Sequence, residues 1–400
     1  MKKSWPTEQL VNLCEMFADG DWIESKDQSV DGIRIIQTGN VGEGIFKGRD
    51  DKARYISEPT FKRLRCTEIF EGDCLVSRLP EPAGRSCILP DTGERMITSV
   101  DCTIVRFNTQ KIIPAFFNFY SQSREYLKAI DCQTTGTTRK RISRSKLGCV
   151  LTPVPPLSEQ QRIVAILDEI FDGIAKARAN AEKNQQNARK LFESHLQSKL
   201  AKQPDWEGKT LKQVSLDFGR GKSKHRPRND PRLYGGPYPF IQTSDVRGCE
   251  HLITDFTQTY SEAGLAQSKL WPKGTLCITI AANIAETGIL GFDSCFPDSV
   301  IGVVVDPTQT SNSFLEYLLQ SVKASLKAKG KGSAQDNINL ATFENEPFYF
   351  PDLAEQKQIV DQLSDLNAEA QRLESIYQQK LAALDELKQS LLHQAFSGKL

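Results

Sequence analysis

The chain has 400 residues, of which 39% are apolar and 8% aromatic, and its formal net charge is +1 at pH 7. Such a composition is typical of a globular protein of roughly two or three domains and excludes a disordered chain. The sequence contains no run of eighteen apolar residues and no apolar stretch behind its first two lysines. We therefore expect a cytoplasmic protein without a membrane span.

The first predicted elements are short strands at residues 34–36, 74–76 and 103–107, followed by an amphipathic helix at 114–129. Gln37 and Asn40 come directly after the first of these strands. A run without acidic residues follows the helix and contains Arg139, Lys140, Arg141, Arg144 and Lys146. This order of elements predicts a mixed α/β domain over residues 1–155.

A long helix is predicted next, over residues 156–203. Prolines at 155 and 156 forbid an earlier start, and Ser158 is the expected N-cap, with Gln161 three residues later. Apolar or small residues then recur at alternating four- and three-residue steps, with one miss at Asn184: Ile163, Leu167, Ile170, Ile174, Ala177, Ala181, Ala188 and Leu191. About 40 helical residues span roughly 60 Å. One domain cannot cover that length, so a second long helix is required.

The second half repeats this order. Strands are predicted at residues 239–241, 276–280 and 302–305, and an amphipathic helix at 313–327. One basic segment, interrupted only by Asp230, precedes them and contains Arg220, Lys222, Lys224, Arg226, Arg228 and Arg232. Another contains Lys323, Lys327, Lys329 and Lys331. The final helix, over residues 352–400, has the same stripe with a gap at Lys380: Ile359, Leu363, Leu366, Ala370, Leu373, Tyr377, Leu384, Leu387 and Leu391.

The two halves are copies of one another. Ile36-Gln37-Thr38 returns as Ile241-Gln242-Thr243, and Glu159-Gln160 returns as Glu355-Gln356 with the flanking proline, leucine and isoleucine in register. The predicted domains are therefore 1–155, 156–203, 204–351 and 352–400. The expected fold is a duplicated mixed α/β (α+β) domain, joined by two long antiparallel coiled-coil helices in a pseudo-twofold arrangement.

The basic segments lie in the globular parts, whereas acidic residues such as Asp168 and Asp365 lie on the long helices. A single run of charged residues is usually only a solvated surface. Basic runs in both copies, interleaved with polar residues, instead indicate a protein that contacts the phosphates and bases of nucleic acid. For phosphates or groove edges we predict Arg139, Lys140, Arg141, Arg144, Lys222, Lys224, Arg226 and Arg228. For base edges we predict Gln37, Asn40, Gln242, Thr243 and Arg247. The alternative for this second set is that Gln-Thr is a structural turn common to both copies.

Catalytic motifs are missing from the sequence. The stretch from Gly219 to Ser223 resembles the end of a phosphate-binding loop, but Leu216 stands where its first glycine should be. Asp230-Pro231-Arg232-Leu233 lacks the remainder of an amino-methyltransferase motif, and the four histidines are dispersed. The ten cysteines form no C-x-x-C pair. We therefore expect no catalytic residues, no metal site and no bound cofactor.

Three stretches carry a family resemblance: the junction Pro155-Pro156-Leu157-Ser158-Glu159-Gln160, the end Ala395-Phe396-Ser397-Gly398-Lys399-Leu400, and Tyr234-Gly235-Gly236 with Pro239-Phe240-Ile241. With the duplication, they make essentially the whole chain similar to the specificity subunits of type I restriction-modification systems. The first copy departs from the pattern, with Asp31-Gly32-Ile33 in place of the Tyr-Gly-Gly element.

This resemblance implies that each globular part is a target-recognition domain reading one half of a split, asymmetric site in double-stranded DNA, with the helices holding the two readers apart. It implies two methyltransferase subunits, which methylate adenine N6 using S-adenosylmethionine, and ATP-driven restriction subunits as partners. The chain itself would be non-catalytic. The alternative hypothesis is a coiled-coil structural adaptor without sequence-specific DNA binding.

Overall fold

The computed structural model describes residues 5–136, 140–224, 227–281, 284–330 and 340–400. The chain divides into two compact units. Unit 1 comprises Met1–Glu182 and Gln378–Leu400, and unit 2 comprises Lys183–Tyr377. Each unit contains one globular part and a segment of each of two long helices.

The elements of unit 1 follow the alternation that the sequence predicts. Its strands are β1 (Thr7–Gln9), β2 (Cys14–Asp19), β3 (Gln28–Ser29), β4 (Ile33–Ile36), β5 (Tyr55–Ile56), β6 (Glu68–Ile69), β7 (Cys74–Ser77), β8 (Ser86–Ile88), β9 (Met96–Thr98), β10 (Cys102–Phe107) and β11 (Leu151–Pro153). Its shorter helices are α1 (Glu58–Leu64), α2 (Pro114–Tyr120), α3 (Arg124–Asp131) and α4 (Arg144–Gly148). The long helix α5 (Leu157–Lys199) begins in this unit.

Unit 2 repeats the pattern after α5. Its strands are β12 (Glu207–Lys209), β13 (Ser215–Arg220), β14 (Tyr234–Phe240), β15 (Leu252–Ile253), β16 (Gln258–Tyr260), β17 (Leu276–Thr279), β18 (Thr287–Leu290), β19 (Val300–Val305) and β20 (Phe348–Phe350). Its helices are α6 (Thr243–Gly248), α7 (Glu262–Ala266), α8 (Asn312–Ser321), α9 (Lys323–Gly330) and α10 (Leu340–Asn345), and α11 (Leu353–Phe396) is the second long helix.

The sheets show the duplication directly. Within the described residues, unit 1 has a sheet of order β2-β10-β7-β8 and unit 2 one of order β13-β19-β17-β18-β15. In each sheet the last long strand of the globular part, β10 or β19, lies between two other strands and pairs antiparallel with both. A two-stranded antiparallel ribbon, β1 with β11 or β12 with β20, joins the two ends of each globular part. Unit 1 also has a mixed sheet of order β3-β5-β4-β9-β6. The predicted duplicated α/β fold is confirmed.

The long helices close the core of each unit. In unit 1, Ile163 and Leu167 of α5 share a hydrophobic cluster with Leu392 and Ala395 of α11. Arg162 donates to the carbonyl of Leu400 at 2.7 Å, and Arg178 pairs with Asp385, so these segments run antiparallel. In unit 2, Leu196 and Leu200 share the core with Ile359 and Leu363. No helix of the described chain has the length and apolar character of a membrane span.

The predicted stripes are correct at most positions and wrong at two. Leu191 and Leu387 are exposed, by 55% and 46%, while the neighbouring Phe192 and Lys388 are partly buried. The cause is the difference between 3.6 residues per turn and a strict seven-residue repeat, which moves the buried stripe by one position along a long helix.

Two further predictions are wrong in detail. Ser158 is not the N-cap of α5, because the carbonyl of Pro156 already accepts from the amides of Glu159 and Gln160 at 2.9 and 3.0 Å.

The two amphipathic helices are each broken in two. In unit 1 the hydroxyl of Ser123 accepts from the amide of Tyr126 and starts α3 as a new helix. In unit 2 the break falls at Val322, between α8 and α9.

A buried glutamine explains the repeated Glu-Gln. The Gln160 side chain accepts from the amide of Ile113 at 2.8 Å and donates to the carbonyls of Lys111 and Pro155 at 3.0 and 2.9 Å. In unit 2, Gln356 donates to the carbonyls of Gln309 and Pro351, both at 3.0 Å, and accepts from the hydroxyl of Thr310 at 2.9 Å. Both side chains are almost fully buried and satisfied, so each fastens a long helix to its globular part.

Candidate nucleic-acid interface

The loop after β4 places the first predicted base-reading residues. Asn40 is 8% exposed, and its Oδ1 accepts from the amide of Gln37 at 2.9 Å. Its Nδ2 donates to the carbonyls of Lys47 and Gly48, both at 2.9 Å. Because these bonds occupy the side-chain amide, Asn40 closes the loop from within. The side chains of Gln37 and Thr38 lie at its partly exposed rim.

A buried arginine holds the same loop. Arg85 is 9% exposed and donates through Nε to the carbonyl of Val41 at 2.7 Å and through Nη2 to that of Thr38 at 2.8 Å. Its Nη1 donates to the carbonyls of Leu79 and Pro82 at 2.8 and 2.9 Å. Burial lowers the pKa of Arg85, but these four carbonyls solvate the cation. Sequence reasoning missed this residue, since nothing in its neighbourhood distinguishes it from an exposed arginine.

A concavity of about 530 Å³ opens beside this loop. Gln37 and Thr38 line it together with three cations that were not predicted, Arg49, Lys52 and Arg54. These three were overlooked because Asp50 and Asp51 stand among them and make the segment look balanced in charge. In the structure, the carboxylate of Asp50 pairs at 2.7 Å with Arg34, whose side chain is only 7% exposed.

The predicted basic run of unit 1 lies on a different part of the surface. Lys140 pairs with Asp131 at 2.9 Å, Arg141 with Asp101 at 2.8 Å, and Arg144 stands 3.9 Å from Asp19. All three cations keep about half of their side chains exposed. Exposed pairs of this kind are weak, so a phosphate could replace the carboxylates. Arg139 lies outside the described residues, and the contact of this run with DNA stays a prediction.

The basic segment of unit 2 follows β13. Lys222 and Lys224 are exposed. Arg228 pairs with Asp298 at 2.9 Å, and Arg232 with Asp230 at 2.6 Å. Arg226 and Lys331 lie outside the described residues, and the structure does not describe the side chain of Lys329. Lys323 and Lys327 both pair with Glu286, at 2.5 and 3.2 Å, which gives that part of the third basic run a structural role.

The loop after β14 matches the one after β4. Asp245, at the position of Asn40, accepts from the amide of Gln242 at 2.8 Å and caps α6. Both copies therefore use a residue three positions after glutamine to close the turn, as the alternative interpretation proposed. The side chains of Gln242 and Thr243 are partly exposed, and Arg247 is exposed on α6. Base reading by these residues stays a prediction.

The surroundings of the two loops differ in charge. Beside the second loop lies a concavity of about 620 Å³, which is lined by Asp245, Glu250, Asp255 and the 44% exposed Phe256. The first concavity is basic, whereas the second is acidic and partly aromatic. The two loops therefore have different chemical surroundings, which is compatible with readers of two different sequences.

A buried ion pair lies behind the second loop. His251 Nδ1 is 2.9 Å from Glu316, and its Nε2 is 3.1 Å from the side-chain amide of Asn367 on α11. The hydrogen bond to Glu316 raises the pKa of His251, and burial raises the pKa of Glu316. Across the described chain no group of three or more His, Cys, Asp or Glu side chains could hold a metal ion.

Comparisons with known proteins agree with this duplicated arrangement. The model of the type I restriction modification DNA specificity domain matches residues 2–184 and again residues 203–381. The EcoBI type I restriction enzyme specificity subunit of Escherichia coli is 26% identical over 309 residues, which are 70% of this chain and 65% of that protein. The EcoKI specificity subunit of Escherichia coli K12 is 22% identical over 312 residues, 72% of this chain and 66% of that protein. The matches thus span just under two thirds of these relatives.

Solved structures share the fold over the whole chain. A chain from a study of complex assembly and conformational transition in the type I R-M system superposes with a TM-score of 0.82 at 19% identity, covering 100% of this chain and 99% of that chain. The HsdS subunit of Thermoanaerobacter tengcongensis superposes with a TM-score of 0.58 at 18% identity, covering 100% and 98%. Since the family model matches both halves of the sequence, the chain belongs to the type I restriction modification DNA specificity domain family, with the domain present twice.

Proposed function

We propose that this chain is the DNA-specificity subunit of a type I restriction-modification complex and that each unit reads one half of a two-part site in double-stranded DNA. The observation that carries the proposal is the pair of matching loops, closed by Asn40 in unit 1 and Asp245 in unit 2, with opposite charge around them. A structural adaptor would explain the long helices but has no use for two equivalent loops with divergent rims.

The contacts divide into positioning and reading. Eight cations contact phosphates or groove edges. Their binding is favourable because neutralising the phosphates releases the counterions that are condensed on DNA. They are Arg139, Lys140, Arg141, Arg144, Lys222, Lys224, Arg226 and Arg228. Gln37, Gln242, Thr243 and Arg247 lie at the rims of the loops and read base edges. Asn40 acts in this scheme through the loop that it closes.

The partners supply the chemistry. The relatives are named as specificity subunits of restriction enzymes, which supports a complex with two methyltransferase subunits and with restriction subunits, acting on DNA in the cytoplasm. S-adenosylmethionine and ATP bind those partners, and this chain contributes no catalytic residue and no cofactor. A duplicated scaffold offers two similar docking surfaces, which suits two copies of one partner.

The experiment measures DNA binding and methylation with and without the partners. The full chain assembled with its methyltransferase subunits should bind one duplex sequence at least about 1000-fold more tightly than random duplex and should methylate it. The chain alone should neither transfer methyl groups nor hydrolyse ATP. If the assembled complex binds all duplexes equally, the adaptor hypothesis replaces the proposal. Methyl transfer by the chain alone would contradict its non-catalytic role.

A further inference from the structure

The segment from Lys47 to Arg54 concentrates four cations. Of the residues the structure describes, no carboxylate pairs with Lys47, Arg49, Lys52 or Arg54. Elsewhere in the same unit, arginines such as Arg63, Arg95 and Arg106 are ion-paired. Buried Arg34 pairs with both Asp50 and Glu94 at 2.7 Å, and within this segment the four cations outnumber the two aspartates. The surface next to Gln37 therefore offers hydrogen-bond donors and positive charge to a ligand that is rich in hydrogen-bond acceptors.

Arg49 has an unusual backbone conformation. Its φ and ψ are 53° and 48°, in the left-handed region that non-glycine residues rarely adopt. Arg65 has nearly the same angles, but it ends helix α1, where this conformation is expected. Arg49 only precedes a three-residue 3₁₀ turn, Asp50–Lys52, and makes no side-chain cap there. A glycine at position 49 would adopt this conformation without strain. The presence of arginine there instead suggests that its side chain has a function.

A glycine makes room for the guanidinium. A Cβ added at Gly39 would collide with Nη1 of Arg49, so the guanidinium lies directly against the backbone of the loop that carries Gln37 and Thr38. The floor beneath it is fixed by the bonds of Asn40 and Arg85 to the loop backbone. Gly44 of the same loop is pinned to the body of the unit, since its amide donates to the carbonyl of Ser86 at 2.9 Å and its carbonyl accepts from Asn118 at 2.8 Å. The backbone against which the guanidinium lies is thus fixed before any ligand binds.

We propose that the concavity formed by Gln37, Thr38, Arg49 and Lys52 is the base-reading pocket of unit 1, in which Arg49 reads a guanine. This inference rests on the proposed function. Guanine presents two acceptors, N7 and O6, in the major groove, and the planar guanidinium offers two parallel donors that match them. Lys52 and Arg54, at the edge of the pocket, contact the flanking phosphates.

Rigid positioning favours base reading over simple charge neutralisation. A phosphate contact needs only a flexible cation near the backbone, and a long lysine satisfies it at low cost. The strained backbone, the cleared space at Gly39 and the buried polar floor are more than such a contact needs. Together they place one guanidinium against a fixed backbone next to Gln37 and Thr38, which suits bidentate recognition of a base edge.

The test uses the full chain in complex with its methyltransferase subunits and four variants. Arg49→Gln removes the reader, and Gly39→Ala keeps Arg49 but displaces its guanidinium. Arg65→Gln is the matched control, since Arg65 is exposed and shares the backbone conformation of Arg49. Arg49→Gly removes the side chain while relaxing the backbone, so its melting temperature should stay within about 4 °C of the parent. The readouts are the methylated motif in sequenced DNA, duplex binding and its salt slope.

With Arg49→Gln, Arg49→Gly and Gly39→Ala, one G·C position in one half-site should become degenerate, and binding to the parent site should fall about 10- to 100-fold. The other half-site and the Arg65→Gln motif should be unchanged. An unchanged motif in all variants overturns the inference, while the parent complex still demonstrates the proposed function. A uniform loss of affinity with a salt slope lower by about one unit would show that Arg49 is a phosphate contact and would also overturn it. If the parent complex methylates no defined motif, the proposed function itself fails.

Discussion

Replacing the buried glutamine at the start of either long helix should destabilise the unit that contains it. Gln160→Leu removes three hydrogen bonds and leaves the amide of Ile113 and the carbonyls of Lys111 and Pro155 without their partner. At about 1 kcal/mol for each bond, the free energy of unfolding of unit 1 should fall by about 3 kcal/mol. Gln356→Leu removes the same number of bonds in unit 2 and should have the same effect there.

The magnitude is large enough to measure. For a unit of roughly 200 residues, 1 kcal/mol shifts the melting temperature by about 2–4 °C, so each variant should melt about 6–12 °C lower. Calorimetry of the full chain measures the melting temperature, and far-UV circular dichroism follows the helices. Gln161→Leu is the matched control, because this neighbouring glutamine is exposed. If Gln160→Leu melts within about 2 °C of Gln161→Leu, the glutamine does not fasten the helix to the globular part.

Three further outcomes follow from the interface. Asn40→Ala should cost about 2–3 kcal/mol and Asp245→Ala about 1 kcal/mol of stability, seen by denaturant titration; a changed motif at unchanged stability would make Asn40 a base reader. Lys222→Ala with Lys224→Ala should lower the salt slope of binding by about one unit per lost phosphate contact, whereas Lys176→Ala, paired with Asp172 on α5, should not. Because Glu316 raises the pKa of His251, this pair should stabilise unit 2 below about pH 6.5, and the stabilisation should be lost as the pH rises through the raised pKa of His251. Glu316→Gln should flatten this pH dependence in thermal melts. An unchanged pH profile in the variant would contradict this explanation.

Elements with a strong local signal could be predicted from the sequence. The central strand β10, buried at nearly every position, and the helices α5 and α11 are long or strongly patterned, so local periodicity determines them. Leu191 and Leu387 were placed wrongly because a drift of about 20° per heptad accumulates over a long helix and cannot be read from the first heptads.

The candidate site could be predicted only where its residues directly follow a repeated strand, as Gln37 and Gln242 do. Arg49 could not be found, because neither the pairing of Asp50 with Arg34 nor the close approach of Arg49 to Gly39 can be read from the sequence. Asn40 was predicted as a reader for a related reason. An asparagine at a loop can face inward or outward, and only the carbonyls of Lys47 and Gly48 decide between the two.

The most direct test of the central claim is to map N6-methyladenine by single-molecule sequencing in cells that express the methyltransferase subunits with and without this chain. We expect a two-part motif with an unspecific spacer only when the chain is present. Exchanging the globular part of unit 2 for that of a relative should then change one half of the motif and leave the other half intact. The same methylated sequence with and without the chain, or a change of both halves after the exchange, would contradict the account.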